Sequence, residues 1–510
     1  MSRVQKYISN VLWSWAGVIL TILIGFFISP YIIRRVGETH FGIWALALSL
    51  VEYYWLIDFG FRSATLKFSA EFQALEDFDS MSVLLSTGLM YTTIAASIVL
   101  TGSFLIAPWL AVFFNIHEPE FILLVRIVGL SWAMGMVSNV FSACLEGHQR
   151  FDLTNRVWII SMTIRTAGIL ILLVRGGGIE QMGYMLLAAQ VTGYAFTWRF
   201  FRSAVPRVRV SYTLSSFAMM KRMMHYGIHT FTAIVSNLLL TRSIPVLIAR
   251  FLPIRFFAYW QVPTRILEYT TDGFGRIGMV TAPNASELMA RGQSDELVNL
   301  AVYSNRYCFT LFTPLAVFLL TYGFQLYSLW IRPDFARNCA YLLPVLLIGE
   351  TVFSGQTNSV SILFGMGRHK LYSRLLLLEA GLTVAGLTLV LGPYGLYGAA
   401  WVIATLMTIN RGIVLCCLVS NVLGINPLRY AARIYATPAA LGAMAWVFMT
   451  VLRTRFIPGR TVPELLLAGT LMMLLYGPLA FRFCVAPHHR EKAFKVARMS
   501  ASAVLAHVTN

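Results

Sequence analysis

The chain has 510 residues, of which 57% are hydrophobic and only 12% are charged. Soluble domains carry roughly a quarter charged residues, so this balance excludes a soluble globular protein and requires lipid as solvent. The net charge of +18 is also found in nucleic-acid-binding proteins. Here, however, lysine and arginine gather in alternate short loops, the pattern that membrane insertion selects. We therefore expect no nucleic-acid partner.

Apolar runs of about 20 residues, long enough to cross a hydrocarbon layer of roughly 30 Å as helices, recur along the chain. They predict an all-α polytopic membrane protein with about fourteen transmembrane helices. The first run is too long for a cleaved signal peptide, so it is interpreted as a retained span. In chain order the spans are expected at 11–33, 41–60, 83–107, 121–145, 157–175, 181–200, 225–249, 256–276, 306–330, 341–366, 372–392, 396–420, 432–452 and 463–483.

The positive charges predict the orientation of these spans. The side that includes both termini carries 25 lysines and arginines, and the opposite side carries 10. By the positive-inside rule both termini are cytoplasmic, which requires an even number of spans. Arg453, Arg455 and Arg460 are the exception, because the loop before the last span would lie outside. All outer loops are short, which argues against an enzyme that builds glycans there.

The two halves of the chain are weakly similar. A shift of 215 residues aligns Arg35 with Arg250, and a shift of 218 aligns 145–156 with 363–374. Two matching stretches in order, at nearly one offset, predict duplication of a six-helix unit whose copies keep the same orientation, a layout found in transporters. The expected domains are an N-terminal six-helix lobe at 1–201, a basic cytoplasmic linker at 202–224, a second lobe at 225–423, two additional spans at 424–485 and a basic cytoplasmic tail at 486–510.

A family resemblance is carried by residues 34–81. They contain a Gly-x3-Phe-Gly-x-Trp turn at 37–44, a Leu-Ile-Asp-Phe-Gly segment at 56–60 and then a polar stretch. This segment resembles the start of Wzx-type polysaccharide flippases of the multidrug/oligosaccharidyl-lipid/polysaccharide (MOP) exporter superfamily. The related peptidoglycan-precursor flippases carry an Arg-Asp pair in the first span, which this chain lacks, so a lipid II cargo is not expected.

The resemblance implies two parallel six-helix bundles that form a V-shaped central cavity, plus two C-terminal helices, and alternating access across a bacterial inner membrane. It implies a polyprenyl-diphosphate-linked oligosaccharide as cargo, moved toward the periplasm for O-antigen, capsule or exopolysaccharide assembly. Membrane lipids and the polysaccharide polymerase machinery are the further partners it implies.

Four charged residues follow one face of the eighth span. Arg265, Glu268, Asp272 and Arg276 fall within about 80° of each other at 100° per residue. A charge at the bilayer centre costs roughly 2.5–3.5 kcal/mol even on the lenient insertion scale, so this face is expected to line water or protein. The arginines are candidate diphosphate ligands, because a guanidinium binds phosphate oxygens bidentately. The alternative is a structural ladder of ion pairs.

Other intramembrane charges are weaker candidates. Arg165 and Arg242 are further cations that bind the cargo, pair with a carboxylate or cap a backbone carbonyl. Asp58 and Arg62, four residues apart, are expected to pair. Glu52 has no such partner on its own helix and is the candidate for proton coupling, with a hydrogen bond to Tyr or Thr as the alternative. The same reasoning applies less strongly to Glu350 and Glu379.

No motif indicates catalysis, a metal site or a cofactor. Nucleophile-elbow, Walker A, HExxH and dinucleotide-binding patterns are all missing from the sequence, and the six cysteines have no ligand spacing. Two rival functions are a cation-coupled multidrug efflux carrier of the same superfamily and, from a different class, a membrane glycosyltransferase or polymerase. The first predicts fewer cavity arginines, and the second predicts catalytic acids in a long external loop.

Overall fold

Helices make up nearly all of the protein. A computed structural model describes residues 3–491, with side chains described everywhere in this range except 3–23, 228–234, 236–237, 271–272, 274–280 and 369. The described residues form sixteen α-helices and no β-strand. They divide into two compact units, Met1–Ala258 and Tyr259–Asn510, with the boundary inside the eighth helix.

The first unit contains seven helices and the start of the eighth. These are α1 (Arg3–Val51), α2 (Phe61–Ala74), α3 (Phe78–Phe113), α4 (Glu120–Gly147), α5 (Phe151–Val174), α6 (Ile179–Ala204), α7 (Phe217–Phe251) and α8 (Arg255–Ala290). A 3₁₀ segment, Glu52–Asp58, continues α1, and a single 3₁₀ turn, Tyr212–Leu214, precedes α7.

A break in α1 separates the first two predicted spans. Gly37 has φ +83°, a left-handed conformation that costs glycine little. Five residues later Gly42 lies against the turn between α7 and α8, where an added Cβ would be 2.5 Å from the carbonyl oxygen of Ile254. The two glycines of the 37–44 motif are thus explained by one bend and one close backbone contact. Under the shift of 215 residues, Gly37 corresponds to Leu252, where α7 ends.

The basic segment before α7 is attached to the first unit. The backbone N–H of Arg209 donates to the hydroxyl of Ser82 at 3.0 Å, and that of Ser211 donates to Ser86 at 3.1 Å. Ser82 and Ser86 are four residues apart and therefore lie on the same face of α3. An aromatic core of α2, α3 and α4 also covers Val205 and Val208. The segment is therefore packed against α3.

The second unit contains the rest of the chain. Its helices after α8 are α9 (Ser294–Trp330), α10 (Pro333–Cys339), α11 (Leu342–Ser354), α12 (Thr357–Gly365), α13 (His369–Leu406), α14 (Leu415–Val422), α15 (Pro427–Arg455) and α16 (Val462–Phe483). A π-helical segment, Met407–Val414, joins α13 to α14.

A buried polar network connects α15 to this unit. Asn305 of α9 donates to Ser359 of α12 at 2.9 Å and to Tyr430 of α15 at 3.0 Å, and it accepts from the backbone N–H of Asn358 at 2.9 Å. Buried amides require such partners. In α16, Tyr476 donates to the carbonyl of Thr310 at 3.1 Å. The last two predicted spans are therefore packed closely against α9.

The expected all-α polytopic membrane fold is confirmed. Within the described residues, eight helices are long and apolar enough to cross a membrane, or nine if the bent pair α10 and α11–α12 counts as one span. The fourteen predicted segments lie mostly on helical residues, but 341–366 is interrupted by a turn at Gly355 and Gln356, and α1 and α13 each carry parts of two segments. The number fourteen and the boundaries of the predicted lobes, linker and tail stay predictions.

Candidate functional site

The second span ends in a turn that the 56–60 motif specifies. The 3₁₀ segment Glu52–Asp58 stops at Phe59 and Gly60, which have φ values of +46° and +77°. Gly60 also contacts α7 closely, since a Cβ there would lie 2.6 Å from the carbonyl oxygen of Gly227. Two consecutive left-handed residues redirect the chain into α2, and this geometry holds the 3₁₀ segment next to α7.

Glu52 and Arg242 form an ion pair across this contact. The Nη2 of Arg242 lies 2.5 Å from Oε2 of Glu52, and their side chains are 25% and 35% exposed. The neighbouring side chains Tyr53 and Ser243 are hydrogen-bonded as well. Two predicted site residues, assigned separately to proton coupling and to the diphosphate, thus meet in one pair. The charge balance of this site depends on a contact between α7 and the 3₁₀ segment.

The expected pairing of Asp58 with the Arg62 side chain is wrong. Nη2 of Arg62 instead donates to both carboxylate oxygens of Glu146, at 2.7 and 2.8 Å. The buried Asp58 accepts from the backbone N–H of Arg62 at 3.3 Å. Spacing along a helix favoured the nearer carboxylate, but α4 packs against α2 and brings Glu146 within better reach.

In the second unit, Arg265 and Glu268 of α8 also form a pair. Their Nη1–Oε2 distance is 2.9 Å, both side chains are almost half exposed, and the guanidinium lies 5.3 Å from the ring centre of Tyr269. One half of the predicted charged face is therefore an ion pair with accessible polar atoms. The side chains of Asp272 and Arg276, which would form the other half, lie outside the described residues.

Arg165, the remaining predicted cation, is half-buried on α5. Its Nη2 lies 3.4 Å from the sulfur of Met162, one turn earlier on the same helix. A thioether is a weak acceptor, so this contact leaves most of the hydrogen-bonding capacity of the guanidinium for other partners. A role for Arg165 in binding cargo stays a prediction.

The most deeply buried charge pair was not predicted. Nε of Arg411 donates to the two carboxylate oxygens of Glu379 at 2.9 and 3.1 Å, and Asn410 donates to Oε2 at 2.7 Å. The side chains of Glu379 and Arg411 are only 5% and 18% exposed. Asn410 and Arg411 lie in the π-helical segment, a type of irregularity that often occurs at functional sites. The signal in the sequence was an arginine within an apolar run, which itself predicts a buried partner.

These features define the class of protein. Glu52 and the Glu379–Arg411 pair lie on helices that are long and apolar enough to cross a membrane, as in membrane transporters that move polar cargo. The family described as "Polysaccharide biosynthesis protein" matches residues 7–289, more than half of the chain. The chain therefore belongs to that family.

Two relatives are similar in sequence over most of the chain. An uncharacterized membrane protein of Methanocaldococcus jannaschii is 21% identical over 422 residues, which is 78% of this chain and 81% of the relative. A protein of Shigella flexneri, provisionally named an O-antigen transporter, is 19% identical over 78% of this chain and 94% of its own length.

Solved structures of MOP-superfamily transporters share the fold. The lipid II flippase MurJ, in an inward closed conformation, has a TM-score of 0.73 at 12% identity and covers 92% of this chain and 99% of its own. An inward-facing multidrug resistance MATE transporter has a TM-score of 0.68 at 12% identity, and the match covers 79% of this chain and 94% of the transporter. The resemblance to Wzx-type members of this superfamily is confirmed, as is the prediction of a transporter rather than an enzyme.

Proposed function

We propose that the protein is a flippase that moves a polyprenyl-diphosphate-linked oligosaccharide from the cytoplasmic to the periplasmic leaflet of a bacterial inner membrane. Its product would feed O-antigen, capsule or exopolysaccharide assembly. The observation that carries the proposal is the family match over residues 7–289, which includes both the Glu52–Arg242 pair and the Arg265–Glu268 pair.

The two arginines suit a diphosphate. A guanidinium stays charged at any physiological pH and presents a planar set of donors that fits two phosphate oxygens. Arg242 and Arg265 are each partly exposed, and they form ion pairs with Glu52 and Glu268. An incoming diphosphate can therefore compete with Glu52 and Glu268 for these guanidinium groups. A role for Arg165 and Arg276 in the same path is part of the proposal.

This competition also links cargo to protons. When the diphosphate takes Arg242, Glu52 loses its cation, and a carboxylate without its cation in a partly desolvated place gains a proton more easily. When the cargo leaves, Arg242 is free to recover the carboxylate and the proton is released. The ion pair therefore takes up one proton together with one phosphate charge and releases both together, so the proton and the cargo move in the same direction. Asp58, Glu268 and Asp272 are the other candidate coupling carboxylates.

The direction of transport follows from the predicted orientation. With both termini cytoplasmic, the 199–224 segment lies on the inner face, where its basic side chains can contact anionic lipids. Cargo would enter from that side and leave toward the periplasm, where the polymerase machinery would use it. No external energy source other than an ion gradient or removal of the glycan is needed for this cycle.

The test is a flipping assay in sealed vesicles that contain the purified protein and a fluorescent polyprenyl-diphosphate glycan. The wild type should flip the glycan, and it should do so faster when a proton gradient is imposed in the direction of glycan movement. Glu52→Gln should lose that acceleration and keep basal flipping. Glu71→Gln is the matched control. It also removes one carboxylate from an ion pair with an arginine, but the Glu71–Arg222 pair lies at an exposed site.

Two outcomes would contradict the proposal. If the wild type fails to move the glycan but transports organic cations, the protein is a multidrug carrier. If Glu52→Gln responds to the gradient like Glu71→Gln, Glu52 is not the coupling residue, and Glu268 becomes the next candidate.

A further inference from the structure

A cavity of about 780 Å³ lies in the first unit, and its lining includes neither Glu52 nor Arg242. Its walls are the end of α3, the loop from α3 to α4 and the turn from α7 to α8. The volume falls in the range of pockets that bind small molecules, about 300–1,000 Å³. In the predicted orientation these loops are extracytoplasmic, on the side where the proposed cargo leaves.

One wall of the cavity is aromatic. The rings of Trp109 and Phe113 stack with centroids 5.1 Å apart and an angle of 18° between their planes. Trp109 is 61% exposed, so one face of the stack is accessible. Asn115 and His117 follow in the same wall and supply polar groups. Tryptophan is common at membrane interfaces, but an interface position alone does not account for polar groups in the same concave wall.

A second wall, formed by the turn from α7 to α8, is cationic. Arg250 and Arg255 both line the cavity, and the Arg250 guanidinium lies 5.3 Å from the ring centre of Phe113. Within the described part of the chain, neither arginine forms a salt bridge. The lining has one carboxylate, Glu118, so its net charge is positive. Membrane insertion disfavours arginine in outer loops, which makes two in one cavity a feature that needs another reason.

The arginine wall is held in place by the backbone. Gly42 of α1 packs so closely on the turn that a Cβ there would come within 2.5 Å of the Ile254 carbonyl oxygen. Leu252 donates its N–H to the carbonyl of Ile248 at 2.9 Å, and Phe257 donates to that of Ile254 at 3.0 Å. A fixed turn between two helix ends keeps Arg250 and Arg255 at a constant spacing, so a ligand need not order this wall when it binds.

We propose that this cavity binds an acidic sugar residue of the translocated glycan. The sugar ring lies against the Trp109 face, and its carboxylate or phosphate group binds Arg250 and Arg255. The inference rests on the proposed function, because the ligand is part of the same cargo. A glycerol or ethanolamine phospholipid headgroup offers the same phosphate chemistry, but it has no sugar ring whose C–H face could pack on the aromatic wall.

Binding can be measured on the whole protein in nanodiscs of phosphatidylcholine. The probe is a tetrasaccharide of alternating glucuronate and N-acetylglucosamine, titrated by calorimetry, and neutral chitotetraose is the uncharged comparison. We expect the acidic probe to bind the wild type, and Arg250→Gln and Trp109→Ala each to weaken it by at least about tenfold. The matched controls Arg35→Gln, at the position related to Arg250 by the repeat, and Trp446→Ala, on exposed surface of α15, should bind like the wild type.

The opposite results would overturn the proposal. Equal binding of chitotetraose would remove the role of the arginines, and equal weakening by Arg35→Gln would show a nonspecific charge effect. Phosphatidylglycerol in the nanodiscs provides the test for a lipid occupant. If it abolishes saccharide binding to the wild type, and saccharide binding to Arg250→Gln is the same with and without it, a lipid headgroup is the occupant. A wild type that flips glycan without binding the probe refutes the cavity alone, and one that binds the probe without flipping refutes the function alone.

Discussion

Replacement of Arg411 by methionine should destabilise the protein strongly. Methionine fills much of the same volume, but it leaves Glu379 with only the 2.7 Å hydrogen bond from Asn410, at a site where the carboxylate side chain is 5% exposed. Removal of one partner from a buried pair costs about 3–5 kcal/mol.

The double variant Glu379→Gln/Arg411→Met separates the loss of the ion pair from the loss of packing, because it contains no buried charge at this site. It should recover at least half of the loss of about 3–5 kcal/mol.

The assay is unfolding in dodecyl maltoside and SDS mixed micelles, with the two single variants and the double variant forming a mutant cycle. The exposed pair Glu287–Arg291, with side chains 55% and 65% exposed, is the control. Its cycle should give a coupling energy of about 0.3–0.5 kcal/mol. If the Glu379–Arg411 cycle is additive, or if its coupling is no larger than that of the control, the burial argument is refuted.

Two further predictions concern topology and cargo. Single cysteines in 199–224 should react only from the cytoplasm and those in 331–340 only from outside; the reverse labelling would invert the orientation and the entry side. Arg265→Ala should insert normally but weaken binding of the diphosphate-linked glycan about ten- to hundredfold, because one charged hydrogen-bonding partner is lost. Arg265→Lys should bind with intermediate affinity, because lysine keeps the charge but lacks the bidentate geometry. If Arg265→Ala binds the labelled glycan in vesicles as tightly as the wild type does, Arg265 is excluded from the site.

Local features of the sequence were sufficient to predict the helices and the turns between them. The fourteen apolar segments fall mostly on helical residues, because length and apolar content depend only on neighbouring residues. The 37–44 and 56–60 motifs likewise mark real breaks, at Gly37 and at Phe59 and Gly60, since a positive φ is a property of single residues. The family resemblance was readable from the same motifs.

The partners of the charges depended on packing between helices. Spacing along one helix paired Asp58 with Arg62, whereas the partner of Arg62 is Glu146, 84 residues away in the chain. Spacing along its own helix offered Glu52 no arginine, and α7 supplied Arg242. Arg411 lies in the predicted span 396–420, but the sequence did not assign it to Glu379, because a π-helical segment places it there.

One physical cause separates what the sequence predicted from what only the packed structure revealed. Insertion into lipid is driven by the free energy of each segment separately, so composition, hydropathy and positive charge in the loops were enough to predict a polytopic helical transporter. Ion pairs and cavities form between segments that are distant in the chain, and their energy depends on distances of a few ångströms. The pairs at Glu52 and Glu379 and the cavity at Trp109 and Arg250 therefore emerged only when the helices were packed together.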